Sequence, residues 1–289
     1  TNELKKICDD FDLYENIIYT ELNSKSPMGI GYSRANASFL YNKDHDFILQ
    51  IDAHIIFSKN WDKEIIENYY KLESIFNNNK IIMSTAPKRG IYKNKQFYLA
   101  SYGENVLIDE NDFNKDNNIV NGSLKMRYEY DNGEIADPPY IYGMHYDWPN
   151  FFHETNLIHA STMFTKFNII KEIMHDPKDS FHGDQLNYSM RALTRGYQIF
   201  SYKNPVFMVI DKEEIYDFNS LKDVNFRYIF TEDPSKIFLH YFYRYSEKLS
   251  DIRRANIFSG KELGYWGAPD LESLKIAKQK MGIENYWND

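Results

Sequence analysis

FILQIDAH, residues 47–54, is a short apolar run that ends in a carboxylate and an imidazole. Phe47–Ile51 has β propensity, follows the polar segment 42–46, and reads as a buried central strand. A helix is predicted from Trp61 to Phe76, with its cap at Ser58 or Asn60 and with Asp62, Glu64 and Glu67 in its early turns, where acids favour the helix dipole. Asn77 to Asn79 end it. Ile81–Thr85 is a second short strand, stopped by Pro87. Strand, crossover helix, strand is the signature of an α/β fold. In open α/β sheets ligands bind beyond the carboxyl ends of the strands, and Asp52 and His54 fall at such an end.

Outward from this unit, residues 32–41 carry a helical pattern with Ala35, Ser38 and Phe39 on one side. The segment 88–150 is punctuated by Gly, Asn and a Pro pair and reads as irregular strands and long loops, the usual home of substrate-binding elements. Residues 151–164 hold a short apolar segment, 167–175 a short helix and 177–181 a turn. Asp184–Arg195 reads as a helix ended by Gly196, with Arg191 and Arg195 in its last turns. Residues 198–200 and 205–210 read as strands, and 237–243 is an apolar, aromatic run around His240. A last helix spans Asp270 to Met281, capped by Asp270 and ended by Gly282. With no repeat and no low-complexity linker, one compact domain is expected over 1–289, with a loop-rich substrate part at 88–180 and a helical tail at 264–289.

Composition narrows the classes. The chain has 289 residues, a net charge of -8 and 43% apolar residues, enough for a substantial core. The acidic balance argues against a general nucleic-acid surface, yet a metal or a local basic pocket can still hold one small anion. The single Cys8 rules out an intrachain disulfide and a thiolate cluster. No apolar stretch reaches membrane-spanning length, and residues 1–12 are polar rather than leader-like. The first residue is Thr1 rather than Met, so removal of a preceding segment is expected. No Walker loop, His-Glu-x-x-His or Gly-x-Ser-x-Gly string occurs, which weakens kinase, protease and esterase readings.

Several clusters could carry chemistry. Asp52 and His54 at i and i+2 point to the same side of an extended segment, and their donor set suits Mn²⁺, Zn²⁺ or Fe²⁺ with positions left open for diphosphate oxygens. A surface Asp beside a partly buried His is the competing, purely structural explanation. His182-Gly183-Asp184-Gln185 opens a helix, where Asp184 could bind an acceptor or sugar hydroxyl or simply serve as an N-cap. Asp147, Trp148, His153 and Glu154 could line a cleft or be loop packing. Arg34, Lys88 and Arg89 could meet phosphate or only solvate a surface.

Taken together, three separated strings resemble the glycosyltransferases that add N-acetylglucosamine to Skp1-type cytoplasmic proteins, and their bacterial and viral relatives. The first is GYSRANASFL followed by Gln50, Ile51, Asp52, His54, Phe57, Trp61 and Asp62, with the family's Ala-Arg pair inverted as Arg34-Ala35. The second is Gly183-Asp184-Gln185, Arg191 and Thr194-Arg195-Gly196-Tyr197. The third is His240 before Tyr243 and Arg244. The resemblance covers roughly residues 29–289. It implies a GT-A fold with a mixed, mostly parallel central sheet flanked by helices, a UDP-sugar donor, a divalent metal, usually Mn²⁺, and a cytoplasmic location. It implies that Asp52, His54 and His240 hold the metal, that Arg34 lies near the sugar-nucleotide, and that Asp52 and Asp184 serve catalysis.

His182, Gln185, Trp148, His153 and Glu154 are the weaker substrate candidates. The family's first strand, which holds the uridine, would precede Thr1, so either the nucleotide pocket lacks it here, or another segment supplies it, or it is embedded in residues 1–22. The expected reaction moves a sugar, N-acetylglucosamine first, to an acceptor hydroxyl on a protein or glycan, with retention. The rivals are a non-catalytic binding module of the same fold and a metal-dependent hydrolase of nucleotide-sugars.

Overall fold

The computed structural model describes residues 30–40, 45–52, 55–57, 60–85, 89–93, 96–101, 104–108, 123–124, 130–131, 134–135, 144–145, 152–159, 162–179, 184–202, 207–210 and 252–284. Its first element is helix α1 (Ile30–Ser38). Strand β1 (Phe47–Ile51), strand β2 (Ile55–Phe57), helix α2 (Trp61–Phe76) and strand β3 (Ile81–Met83) then realise the predicted unit. A meander follows, of β4 (Arg89–Lys93), β5 (Gln96–Ser101) and β6 (Glu104–Ile108). The short strands β7 (Ser123–Leu124), β8 (Tyr130–Asp131), β9 (Glu134–Ile135) and β10 (Met144–His145) come next. The remaining elements are β11 (Phe152–Thr155), β12 (Thr162–Lys166), α3 (Ile169–Glu172), α4 (Asp184–Leu193), β13 (Gln198–Tyr202), β14 (Phe207–Ile210), α5 (252–258) and α6 (Leu271–Met281).

The central sheet has the order β1-β12-β3-β13-β11. It is mixed, as expected for this α/β class, but the pairing corrects one point. β1, β3 and β13 run the same way, yet β12 is inserted antiparallel between β1 and β3, and β11 lies antiparallel at one edge. Only the β13–β3 neighbours are parallel. The apolar segment at 151–164 is in fact two strands on different parts of this sheet, which is why its text shows no single period.

Period-two alternation sorts the sheet into two faces. Ile48, Ile82, Met163 and Ile199 face one cluster with Leu186, Met190 and Leu193 of α4 and with Phe258, Leu274 and Met281 of the C-terminal helices. Their sequence neighbours Phe47, Leu49, Ile81, Met83, Phe164 and Phe200 face a second cluster with Ile65, Tyr69 and Leu72 of α2. The sheet is thus covered on both sides. On the α2 side, Phe47 stacks on Phe164 with centroids 4.9 Å apart and meets Tyr69 edge-on at 5.1 Å. Tyr69 is fully buried and its hydroxyl donates to Asn79 O at 3.0 Å. Tyr69→Phe is expected to lower unfolding free energy by about 1 kcal/mol, the usual net worth of such a bond, because Asn79 O loses its donor. Urea denaturation against wild type checks this, and an unchanged midpoint would show that the bond contributes nothing.

Three strands leave the central sheet and re-enter a second one, ordered β2-β14-β4-β5-β6. β1 passes to β2, β3 to β4, and β13 to β14. Asp52 directly follows β1 at the first of these crossings. The meander supplies strands where irregular strands and long loops were expected, and it pairs them in regular antiparallel register. Asn60 does occupy the N-cap of α2, but at φ 62 and without a side-chain bond. Its contribution is therefore tolerance of the left-handed backbone rather than the expected side-chain cap. Phe39, expected on the packed side of α1, is 73% exposed, and Gly31 and Ala35 are buried instead. α6 follows its expectation: Asp270 accepts from Ser273 N at 2.7 Å and Gly282 ends the helix at φ 71.

Candidate functional site

Asp52 follows the last residue of β1, and the register pairs Ile51 with Thr162, the first residue of β12. The end of β3 is stitched to the same place. Ser84 Oγ donates to Thr162 O at 2.6 Å and accepts from His159 N at 2.8 Å, and Thr85 N donates to Thr162 Oγ1 at 3.2 Å. The ends of β1 and β3 and the start of β12 therefore form one rigid rim. α4 begins at Asp184 and α1 carries Arg34, and both reach this rim.

Arg34 joins three separate parts of the chain. Its Nη1 donates to Asp184 Oδ2 in a close ion pair, and its Nη2 lies 3.5 Å from Asp52 Oδ1. Burial differs across the trio: the side chains of Asp184, Arg34 and Asp52 are 2%, 12% and 29% exposed. Asp52 is the member that faces solvent. Burial pushes the Asp184 carboxyl up to about 6, against the opposing pull of the Arg34 guanidinium and the Gln185 backbone N–H. Its Oδ1 is buried without a hydrogen-bond partner among the described residues.

A residue that sequence reasoning missed completes this edge. Burial pushes His159 down to about 4, Asp52 opposing the shift and Arg34 adding to it, so the imidazole is neutral at pH 7. His159 stands in Leu-Ile-His-Ala-Ser directly before β12. Its signal was a histidine at a strand start, hidden while 151–164 was read as one segment.

Behind the trio lies a cavity of about 260 Å³, bordered by Arg34, Ser38, Gln50, Ile173, His175 and Tyr188. Gln50 Oε1 meets His175 Nε2 at 2.6 Å, and the His175 ring stacks on Tyr188 with centroids 4.3 Å apart. Burial holds His175 well below its ordinary value, so it too is neutral. Gln50 of the Gln-Ile-Asp string thus has a structural partner of its own.

Other candidates fall elsewhere. Glu154 is exposed on β11 and, among the described residues, accepts from Gln198 Nε2 at 3.5 Å. β11 is four strands from β1, roughly 19 Å at the usual strand spacing, so Glu154 does not join the cleft at Asp52. His153, on the same edge strand as Glu154, pairs with Ser201 of β13, and Arg89 pairs with Val209 in the second sheet. Gln185, half-buried in the first turn of α4, accepts from Ser189 Oγ through its backbone carbonyl. His54, Lys88, Asp147, Trp148, His182 and His240 lie outside the described residues. Among the described residues no three His, Cys, Asp or Glu side chains could hold one metal ion. Asp52 nevertheless suits such an ion: a half-exposed carboxylate supplies a hard oxygen and leaves other positions open.

Arg191 and Arg195, expected as cations at a helix end, do more than that. Arg191 is fully buried and donates to Met174 O at 2.8 Å and Tyr265 O at 3.0 Å, with Trp266 5.2 Å from its guanidinium. Arg195 donates to Gly267 O at 2.9 Å and Gly264 O at 2.8 Å. Together they dock the C-terminal segment on α4, since their fork-shaped heads satisfy several carbonyls at once.

The sequence model described as Glycosyltransferase (GlcNAc) matches residues 9–218, a span that includes Arg34, Asp52, His54 and Asp184 but not His240. The chain belongs to this family of glycosyltransferases. Among solved structures, the glycosyltransferase is similar to "Crystal structure of GalNAc-T7 with UDP, GalNAc and Mn2+" at 12% identity and a TM-score of 0.48, over 99% of this chain and 47% of that one. The chain thus spans about half the length of that structure. No curated protein matches it. No helix among the described residues of the glycosyltransferase is long and apolar enough to cross a membrane.

Proposed function

We propose that this glycosyltransferase moves N-acetylglucosamine from UDP-N-acetylglucosamine to an acceptor hydroxyl, with a divalent cation, Mn²⁺ first, held at Asp52, His54 and His240. The observation that supports it most is the meeting of Arg34, Asp52 and Asp184, from three distant parts of the chain, at the end of β1. Arg34 presents a fixed positive charge to an incoming diphosphate, oriented by Asp184 from behind. Asp184 acts here as a positioning residue, because its burial leaves it little surface for an acceptor. Asp52 offers its exposed side to the cation, which supplies charge neutralisation as the diphosphate leaves.

The anomeric C–O bond to phosphate breaks, a C–O bond to the acceptor forms on the same face, and the acceptor proton passes to the leaving phosphate oxygen. Neutral His159 keeps the rim free of a further positive charge at pH 7. A protein or glycan acceptor and a cytoplasmic location belong to the same reading and rest on the resemblance of the motifs.

The test is a screen of UDP-sugars with and without Mn²⁺, following UDP release and the fate of the sugar, beside calorimetry with UDP. Mn²⁺-dependent consumption of UDP-N-acetylglucosamine and chelator-sensitive UDP binding are the expected results. Absence of binding by any nucleotide would overturn the reading in favour of a non-catalytic module. Release of free sugar that no acceptor suppresses would point to a hydrolase.

A further inference from the structure

Asp179 joins the two helices that carry the ion pair, by two different groups. Its backbone carbonyl accepts from Gly31 N at 3.2 Å, and its Oδ1 accepts from Asn187 Nδ2 at 2.6 Å. Gly31 is three residues before Arg34 on α1, and Asn187 is three residues after Asp184 on α4. Residues three apart on a helix share a face, so each grip lies one turn from the ion pair and on its side.

The contact with α1 is close enough to be selective. A Cβ on Gly31 would fall 2.3 Å from Asp176 O and 2.6 Å from Asp179 O, so only glycine lets α1 approach the loop. The loop itself is fixed. Asp179 N donates to Asp176 O at 3.0 Å, Lys178 N to Asp176 Oδ1 at 2.9 Å, and Arg253 Nε to Asp176 Oδ2 at 2.6 Å. Arg253 also pairs with Glu262, so the C-terminal segment braces the loop from outside. Asp179, Asn187 and Asp184 are all buried.

We propose that Asp179 is a positioning residue: it clamps α1 to α4 and so sets the alignment of Arg34 with Asp184. The assignment rests on the role given to Arg34 above. Burial and neighbouring Asp176 push the Asp179 carboxyl up to about 7, yet Oδ1 can accept from Asn187 with or without the proton. An amide should therefore replace it.

The test compares Asp179→Ala, Asn187→Ala, the double variant and Asp179→Asn, by donor kinetics and by amide hydrogen exchange. Each alanine variant should lose about tenfold or more in kcat with donor KM within threefold, as misaligned catalytic groups do. The double variant should be no worse than either single one, because the two residues make one contact. Asp179→Asn should stay within threefold of wild type. Exchange should accelerate over 30–38 and remain as in wild type over 61–76. Wild-type kcat in Asn187→Ala, an asparagine variant as impaired as the alanine, or faster exchange across both helices would each overturn the clamp. If Asp179→Ala does not fold, Asn187→Ala carries the test alone. If the wild-type chain turns over no donor, the functional reading fails, while exchange over 30–38 still decides the clamp.

Discussion

Asp52→Asn is expected to lower donor turnover by at least about a hundredfold, the scale on which loss of a charge-stabilising group acts in such sites, while leaving the fold intact. The side chain is 29% exposed and Arg34 lies 3.5 Å from it, so little stability depends on it. Asparagine keeps the size and one oxygen but removes the charge that a divalent cation needs from a ligand. Steady-state kinetics at saturating Mn²⁺, with thermal unfolding as the control, measures both halves. Turnover equal to wild type would remove Asp52 from the chemistry. A large drop in melting temperature would instead make it a structural residue.

The second large effect concerns the buried pair. Arg34→Met should destabilise the chain by about 3 kcal/mol, because removing one partner leaves the Asp184 carboxylate in a dry site without compensation. It should also abolish turnover. Arg34→Met with Asp184→Leu should recover most of the stability, since a buried pair replaced by apolar groups often loses nothing, but none of the activity. Recovery of both would mean that Arg34 serves the fold alone.

The same pair sets a pH limit. Burial raises Asp184 to about 6, so its charge is present above that pH and is lost as pH falls through it. The ion pair that orients Arg34 goes with it. Turnover should therefore fall by up to about tenfold per pH unit below 6, and Asp184→Asn should flatten that limb of the profile.

Much of the scaffold was legible because it rests on local signals. Phe47–Ile51, Trp61–Phe76, Asp184–Leu193 and Leu271–Met281 each show one period over one element, bounded by residues such as Asn77, Gly196 and Gly282 that tolerate left-handed backbone. Asp52 was legible for a related reason: it stands where a buried strand stops. The strands of 88–108 were less so, because their alternation is interrupted by turn-forming residues that look like loop.

The sequence by itself determined the elements with one clear period, the strand end that carries Asp52, and the glycosyltransferase class of the chain. Only the tertiary structure decided that β12 inserts antiparallel beside β1, that Glu154 lies on the far edge, and that Arg34 pairs with both Asp52 and Asp184 near the rim where His159 stands. The physical reason is that strand order and helix approach depend on contacts between residues up to 150 positions apart. Periodicity reports which face of an element is apolar, but not which neighbour will cover it.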